Sequence, residues 1–262
     1  IKADAASQGN TQTLRWQQDL WRTIEGVKNM ATDTKILDLL KYLYDREPVP
    51  FQTLNFNWGS EQEGHSDSIH FSSKPERFMC GVWVAMEDVH HKNGPLFYYP
   101  GSHRLPIYNL FDLGLTPDPG DNSQYLRYER FLKDILEVQG FEKKEVNMKK
   151  GDVLIWAANL VHGGMKILDS SLSRWSQVTH YYFEDCLYYT PMFSDMLTGE
   201  LALRPDVLNI RTGLPARQMP VEKYYAGNNR YVLAVPEPVP HVLNPLRYWR
   251  MLRNKALGNE EK

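Results

Sequence analysis

The sequence predicts a mainly β domain, closed as a sandwich or barrel, with helices at its flanks. Five runs carry that prediction: FQTLNFNW from Phe51, MCGVWVAMEDV from Met79, PLFYYPGSH from Pro95, GDVLIWAANLVHGG from Gly151 and WSQVTHYYF from Trp175. Each is short and rich in the β-branched and aromatic residues that suit a pleated, half-buried surface. Turn formers separate them, as in KNGP at 92–95 and KKGD at 149–152. Many short strands with such punctuation argue for a sandwich or barrel. A chain of 262 residues, 42% hydrophobic and 24% charged, has the size and balance for one large domain of this class.

The elements follow in order. Leu20, Ile24 and Val27 recur at helical spacing and predict an amphipathic N-terminal helix. Asp33 is placed to cap a second helix carrying Ile36, Leu40 and Leu43, which must stop near Pro48. Residues 1–48 are therefore read as helices packing on the core, and 49–233 as the β core. Two insertions interrupt that core, at about 107–145 and 186–230. The first contains QYLRYERFLKDILEVQG, with Tyr128, Phe131, Ile135 and Val138 at helical spacing before Gly140. The second is rich in Tyr, Pro, Met and Arg with little periodicity, as expected of a long loop or a cover over a site. Residues 234–262 read as a Pro-rich spacer, VPEPVPHVLNP, then a basic helix starting at Asn244 and Pro245 and stopping near Gly258. Its apolar stripe of Leu246, Trp249, Leu252 and Ala256 suits docking on the domain.

Charge and composition exclude several classes. A net charge of −2 gives no general attraction to nucleic acid or anionic lipid. No stretch of about 18 apolar residues exists to span a membrane. Two cysteines, Cys80 and Cys186, and no secretory pattern suit a reducing, cytoplasmic setting. The chain opens on Ile1 rather than Met, so a segment is expected to precede it.

The chemistry is expected at HSD, His65–Asp67, and at LVHGG around His162. On a strand, residues i and i+2 share a face, so His65 and Asp67 point the same way. Two imidazoles and one carboxylate, with coordination positions left open, are the ligand set of non-heme Fe(II) oxygenases. Arg174, shortly after the distal His162, suits the far carboxylate of 2-oxoglutarate, which needs a cationic, bidentate partner. His70, three residues past Asp67, falls on the opposite face by strict alternation and reads as packing or pocket wall. His90 and His91 sit in a turn, and His103 reads as structural. His180 shares strand parity with Arg174 and Ser176 and either lines the same cavity or packs in the core.

The segment from His65 to Arg104, HSDSIHFSSKPERFMCGVWVAMEDVHHKNGPLFYYPGSHR, resembles the core of the phytanoyl-CoA dioxygenase family. KKGDVLIWAANLVHGG resembles that family's distal-His strand, and SRWSQVTHYYF its Arg-x-Ser strand. The likeness covers roughly Phe51 to Phe183 and implies a double-stranded β-helix, a cupin-like jelly roll, with helices outside. It further implies Fe(II), 2-oxoglutarate and O₂, with His65, Asp67 and His162 as metal ligands. Succinate and CO₂ would be released as a C–H bond of a small-molecule substrate is hydroxylated.

By the same resemblance, Arg174 pairs with the distal carboxylate of 2-oxoglutarate and Ser176 adds a hydrogen bond. Trp83 matches a tryptophan that lines the cosubstrate pocket. Gln52 and Asn55 are amides available to the metal-bound carboxylate or to substrate. Ser66 stands where the family often has Gln between the ligands, which removes one amide contact. Other readings are an oxidase or halogenase of the same fold, a zinc hydrolase, or a metal-binding jelly roll without catalysis. Halogenases replace the carboxylate by a small residue, and Asp67 is present. Tyr98 and Tyr99 of the core, with Arg127, Tyr188, Tyr189 and Arg204 of the insertions, suit a polar or anionic substrate with some stacking surface.

Overall fold

A computed structural model of the chain describes residues 16–219, 222–225 and 231–234. The expected Pro-rich spacer and basic C-terminal helix lie outside the described residues, as do parts of 1–48 and 186–230. In chain order come β1 (Trp16–Gln18), a 3-10 turn (Leu20–Arg22), α1 (Glu25–Ala31), α2 (Thr34–Tyr44) and β2 (Pro48–Phe56). A second 3-10 turn (Asp67–Ile69), β3 (Ser72–Lys74), β4 (Met79–Ala85) and β5 (Leu96–Tyr98) follow. After α3 (Ser123–Val138) come β6 (Lys144–Val146), β7 (Val153–Ala157), β8 (His162–Gly164), β9 (Ser176–Phe183) and β10 (Leu187–Tyr189). The hairpin of β11 (Glu222–Tyr225) and β12 (Tyr231–Ala234) closes the described part.

The strands form a five-stranded sheet in the order β1-β2-β9-β4-β7 and a three-stranded sheet β6-β5-β8, with β10 paired to β3. All these ladders are antiparallel. The fold is the double-stranded β-helix. Alternation along β9 assigns the two faces of the large sheet. Gln177 donates to the Val27 carbonyl at 3.1 Å and Tyr181 to the Ala31 carbonyl at 2.8 Å, so odd-numbered residues meet α1. Even-numbered residues turn inward, where Val178 clusters with Trp83 and Trp156 and with Leu96 of the small sheet.

Asp33 caps α2, accepting from the amides of Lys35 and Ile36, a contact worth about 1 kcal/mol. The first expected helix is interrupted. Leu20 lies in the 3-10 turn, and Ile24 is extended and 46% exposed before α1 begins at Glu25. The β-branched pair Thr23 and Ile24 is stiff at χ1 and favours extended backbone. In α3 the buried stripe runs through Gln124, Tyr128, Leu132 and Leu136, while Val138 is 85% exposed at the helix end. The helix packs its stripe on Ile69 and Val161, which flank the HSD turn and β8. Both cysteines are buried and free.

Candidate active site

Backbone pairing brings the two distant histidines together. His65 and His162 form an antiparallel bridge, with amide-to-carbonyl hydrogen bonds of 2.9 and 3.0 Å in the two directions. Their rings lie 4.7 Å apart. Only the bridge residue of HSD is strand-like, because Asp67 already opens a 3-10 turn. Ser66 is extended at φ −116°, so the two-residue alternation still carries His65 and Asp67 to one side. Strict alternation ends there. The turn swings His70 back beside the site, against Tyr125 of α3 at 5.0 Å between rings. It therefore stands as a wall residue for a reason other than strand parity.

Ligand atoms of His65, Asp67 and His162 lie within 4.8 Å of one another, and all three residues are buried. Asp67 Oδ1 is 3.7 Å from His65 Nε2 and 4.0 Å from His162 Nε2. His65 Nδ1 is 2.9 Å from the Glu63 carbonyl, and His162 Nδ1 is 3.0 Å from the Leu160 carbonyl. A carbonyl only accepts, so each Nδ1 carries the proton and each Nε2 presents its lone pair. That is the tautomer a metal requires, fixed by the backbone.

The other carboxylate oxygen is held from behind. Trp156 Nε1 donates to Asp67 Oδ2 at 2.8 Å, and His180 Nε2 lies 3.7 Å from the same oxygen. Gln52 Oε1 is 2.9 Å from His180 Nδ1. These residues form one row across the inner face, because β-register pairs Gln52 with His180, His180 with Gly81, and Gly81 with Trp156. The indole crosses directly over Gly81, where a Cβ would stand 2.3 Å from the ring. Glycine inside a strand marks such a close approach, and in GVWVA it is the sequence signal for Trp156.

Burial sets the charge states. It pushes His65 and His70 down to about 4 and also lowers His180. For Asp67 burial acts upward, but the nearby imidazoles and the Trp156 N–H overcome it and hold the carboxyl at about 2. A neutral His65 beside an ionised Asp67 suits a divalent cation.

Arg174 is 1% exposed and has no carboxylate within ion-pair distance among the described residues. Burial lowers its pKa to about 10. Its guanidinium donates to the Gly94 carbonyl at 3.0 Å and lies 5.4 Å from the rings of both Phe56 and Trp83. Gly94 sits at φ +72°, and Asn93 ties this turn to the Ser173 carbonyl at 3.1 Å, so the NGP segment positions Arg174. Around the cation, Arg174 Nε, Ser176 Oγ and Trp83 Nε1 are buried without a hydrogen-bond partner. Such groups are costly unless a ligand satisfies them, and a carboxylate fits this donor set.

The structure corrects one expected site residue. Asn55 lies on the outer face of the sheet, bonded to Gln177 Oε1 at 3.1 Å, because it is out of phase with Leu54 and Phe56 of the inner cluster. It does not face the cavity. Gln52 does, and its amide oxygen is spent on His180. The part played by Trp156, Gly81 and Asn93 was not foreseen from the residues.

A family model described as phytanoyl-CoA dioxygenase matches residues 28–171, more than half of the chain. A phytanoyl-CoA dioxygenase of Arabidopsis thaliana is 29% identical over 160 residues, covering 58% of this chain and 51% of the relative. An ectoine dioxygenase of Halomonas elongata is 26% identical over 148 residues, covering 51% and 43%. The chain thus spans about half the length, or less, of the curated relatives it matches. Among solved structures, EctD from S. alaskensis with 2-oxoglutarate and 5-hydroxyectoine aligns with a TM-score of 0.53 at 19% identity, covering 79% of this chain and 68% of that one. The non-heme alpha ketoglutarate dependent epimerase SnoN from nogalamycin biosynthesis aligns with a TM-score of 0.52 at 20% identity, covering 83% and 76%. These structural likenesses establish the fold.

Proposed function

The chain belongs to the phytanoyl-CoA dioxygenase family, and from that premise we propose that it is an Fe(II)- and 2-oxoglutarate-dependent oxygenase. It hydroxylates a C–H bond of a small-molecule substrate, consuming O₂ and 2-oxoglutarate and releasing succinate and CO₂. The observation that carries this reading is the pair of Nδ1-anchored imidazoles converging with Asp67 Oδ1. His65, Asp67 and His162 would hold the iron. Bound there, iron and 2-oxoglutarate supply the oxidising power that replaces C–H by C–OH.

The residues around the triad perform the protein's share. Arg174, with the unspent Ser176 hydroxyl and Trp83 N–H, receives the far carboxylate of 2-oxoglutarate and fixes its orientation. Trp156 and His180 hold Asp67 Oδ2, which leaves Oδ1 for the metal. Burial of the triad keeps bulk water away from the reacting atoms. Asp67 occupies the position a halogenase leaves small, which favours hydroxylation.

In this reading α3 and the described part of the second insertion, residues 186–219, wall the mouth of the jelly roll and select the substrate, within one catalytic domain. Supporting it, α3 brings Tyr125 to His70, and Met192 joins the cluster of Ile69 and Val161. Among the described residues no helix is long and apolar enough to cross a membrane. The test is an anaerobic titration with Fe(II) and then 2-oxoglutarate, followed by a substrate screen read by succinate release. One equivalent of each should bind. A chain that binds Fe(II) but no 2-oxoglutarate would refute the proposal.

A further inference from the structure

A second arginine repeats the aromatic setting of Arg174 at the His180 end of the β2–β9 ladder. Arg204 lies 4.9 Å from the ring of Phe71 and 5.8 Å from that of Phe51, as Arg174 lies over Phe56 and Trp83. Both of its rings touch His180, at 5.2 and 6.0 Å between centroids, and His180 touches Asp67. The β2–β9 ladder measures the separation. Phe56 pairs with Ser176 at the Arg174 end and Gln52 with His180 at the other, four residues apart, or roughly 13 Å. A bulge between Pro50 and Gln52 lets Phe51 and Gln52 both reach His180, which is how an aromatic shelf for Arg204 forms there.

Arg204 is held but not neutralised. Its amide donates to the Tyr188 carbonyl at 2.9 Å and its carbonyl accepts from Gln218 Nε2 at 2.9 Å, so the backbone is pinned from both sides. Its side chain makes one long contact, 3.4 Å to Thr190 Oγ1, and Nε is buried without a partner. No carboxylate lies within ion-pair distance of it among the described residues. Through Phe51 and Phe71, which both lie against His180, Arg204 borders the triad's surroundings. A half-buried, aromatic-flanked guanidinium with its Nε enclosed and no counter-ion is the chemistry of an anion site.

We propose that Arg204 receives an anionic group of the substrate, a carboxylate or a phosphate, against the Phe51–Phe71 shelf, so that the oxidised C–H bond lies between this anchor and the metal triad. This rests on the oxygenase reading above, in which Arg174 is committed to 2-oxoglutarate. One arginine then serves the cosubstrate and the other the substrate. The substrate class is an oxyanion joined to an apolar or flat body.

The test uses the full chain loaded anaerobically with Fe(II) and saturating 2-oxoglutarate, titrated with benzoate, phenyl phosphate and the neutral benzamide by calorimetry. At least one anion should bind tenfold or more tightly than benzamide, and the pair identifies which oxyanion is preferred. Arg204→Gln should erase that preference while its 2-oxoglutarate affinity stays unchanged, which also reports an intact fold. Arg204→Lys should restore part of it. No anion preference in the parent chain, or a preference that survives Arg204→Gln, overturns the proposal. Loss of 2-oxoglutarate affinity in Arg204→Gln overturns it too, by assigning this cation to the cosubstrate. Failure of the parent chain to bind 2-oxoglutarate, seen before any anion is added, counts against the oxygenase reading instead.

Discussion

Trp156 Nε1 donates a 2.8 Å hydrogen bond to Asp67 Oδ2, the carboxylate oxygen turned away from His65 and His162. In the proposed site, the bond would leave one carboxylate oxygen to the metal and tie the other to the protein. Partners behind metal ligands typically contribute about tenfold to a hundredfold in affinity. Trp156→Phe should therefore weaken Fe(II) or Co(II) binding by about that factor, with the fold retained. A metal titration checks it, and unchanged affinity would show that His180 alone orients Asp67.

Gly81 permits that bond by leaving the indole room. Gly81→Ala places a methyl within 2.3 Å of the Trp156 ring, and overpacking of this kind costs about 1–3 kcal/mol. Tm should fall. Adding Trp156→Leu should recover part of the loss, because the clashing ring is gone. Additive losses in the double variant would place the strain elsewhere.

Removal of either imidazole ligand should abolish turnover. His65→Ala and His162→Ala each delete an anchored Nε2, so succinate release should vanish while circular dichroism remains close to that of the parent. Full 2-oxoglutarate turnover in either variant would mean that the metal sits elsewhere.

Arg174→Ala leaves the carboxylate of a bound 2-oxoglutarate desolvated and unpaired, at a cost of about 2–5 kcal/mol. The dissociation constant for 2-oxoglutarate should rise accordingly, with Fe(II) affinity little changed. An unaltered 2-oxoglutarate isotherm would assign the role to another group.

The metal-free protein should lose stability in acid. His65 and His70 are held at about 4 and His180 is lowered, whereas unfolded imidazoles titrate near 6.5. Below that value the unfolded chain binds more protons, so stability is full above about pH 6.5 and falls toward pH 4. Asp67, held at about 2 against an ordinary 3.8, extends the loss below pH 4. Melting curves from pH 8 to 4 read this directly, and a flat Tm across that window contradicts it.

The sequence by itself determined the β architecture and the places where chemistry-bearing residues stand. Strand runs, turn formers and the Asp33 cap are local signals, set by backbone propensity within a few residues. The tertiary structure alone decided the rest. Asn55 and Gln52 are both amides of one strand, but sheet phase and a bulge turn one outward and the other to His180. Register alone lays Trp156 over Gly81 and against Asp67, 89 residues away in sequence. Arg174 was marked in the sequence by its place after His162, whereas only packing sets Arg204 on an aromatic shelf beside His180. The physical reason is range. Helix, strand and turn signals are written in neighbouring residues, whereas a buried charge or N–H takes its meaning from what packing brings beside it.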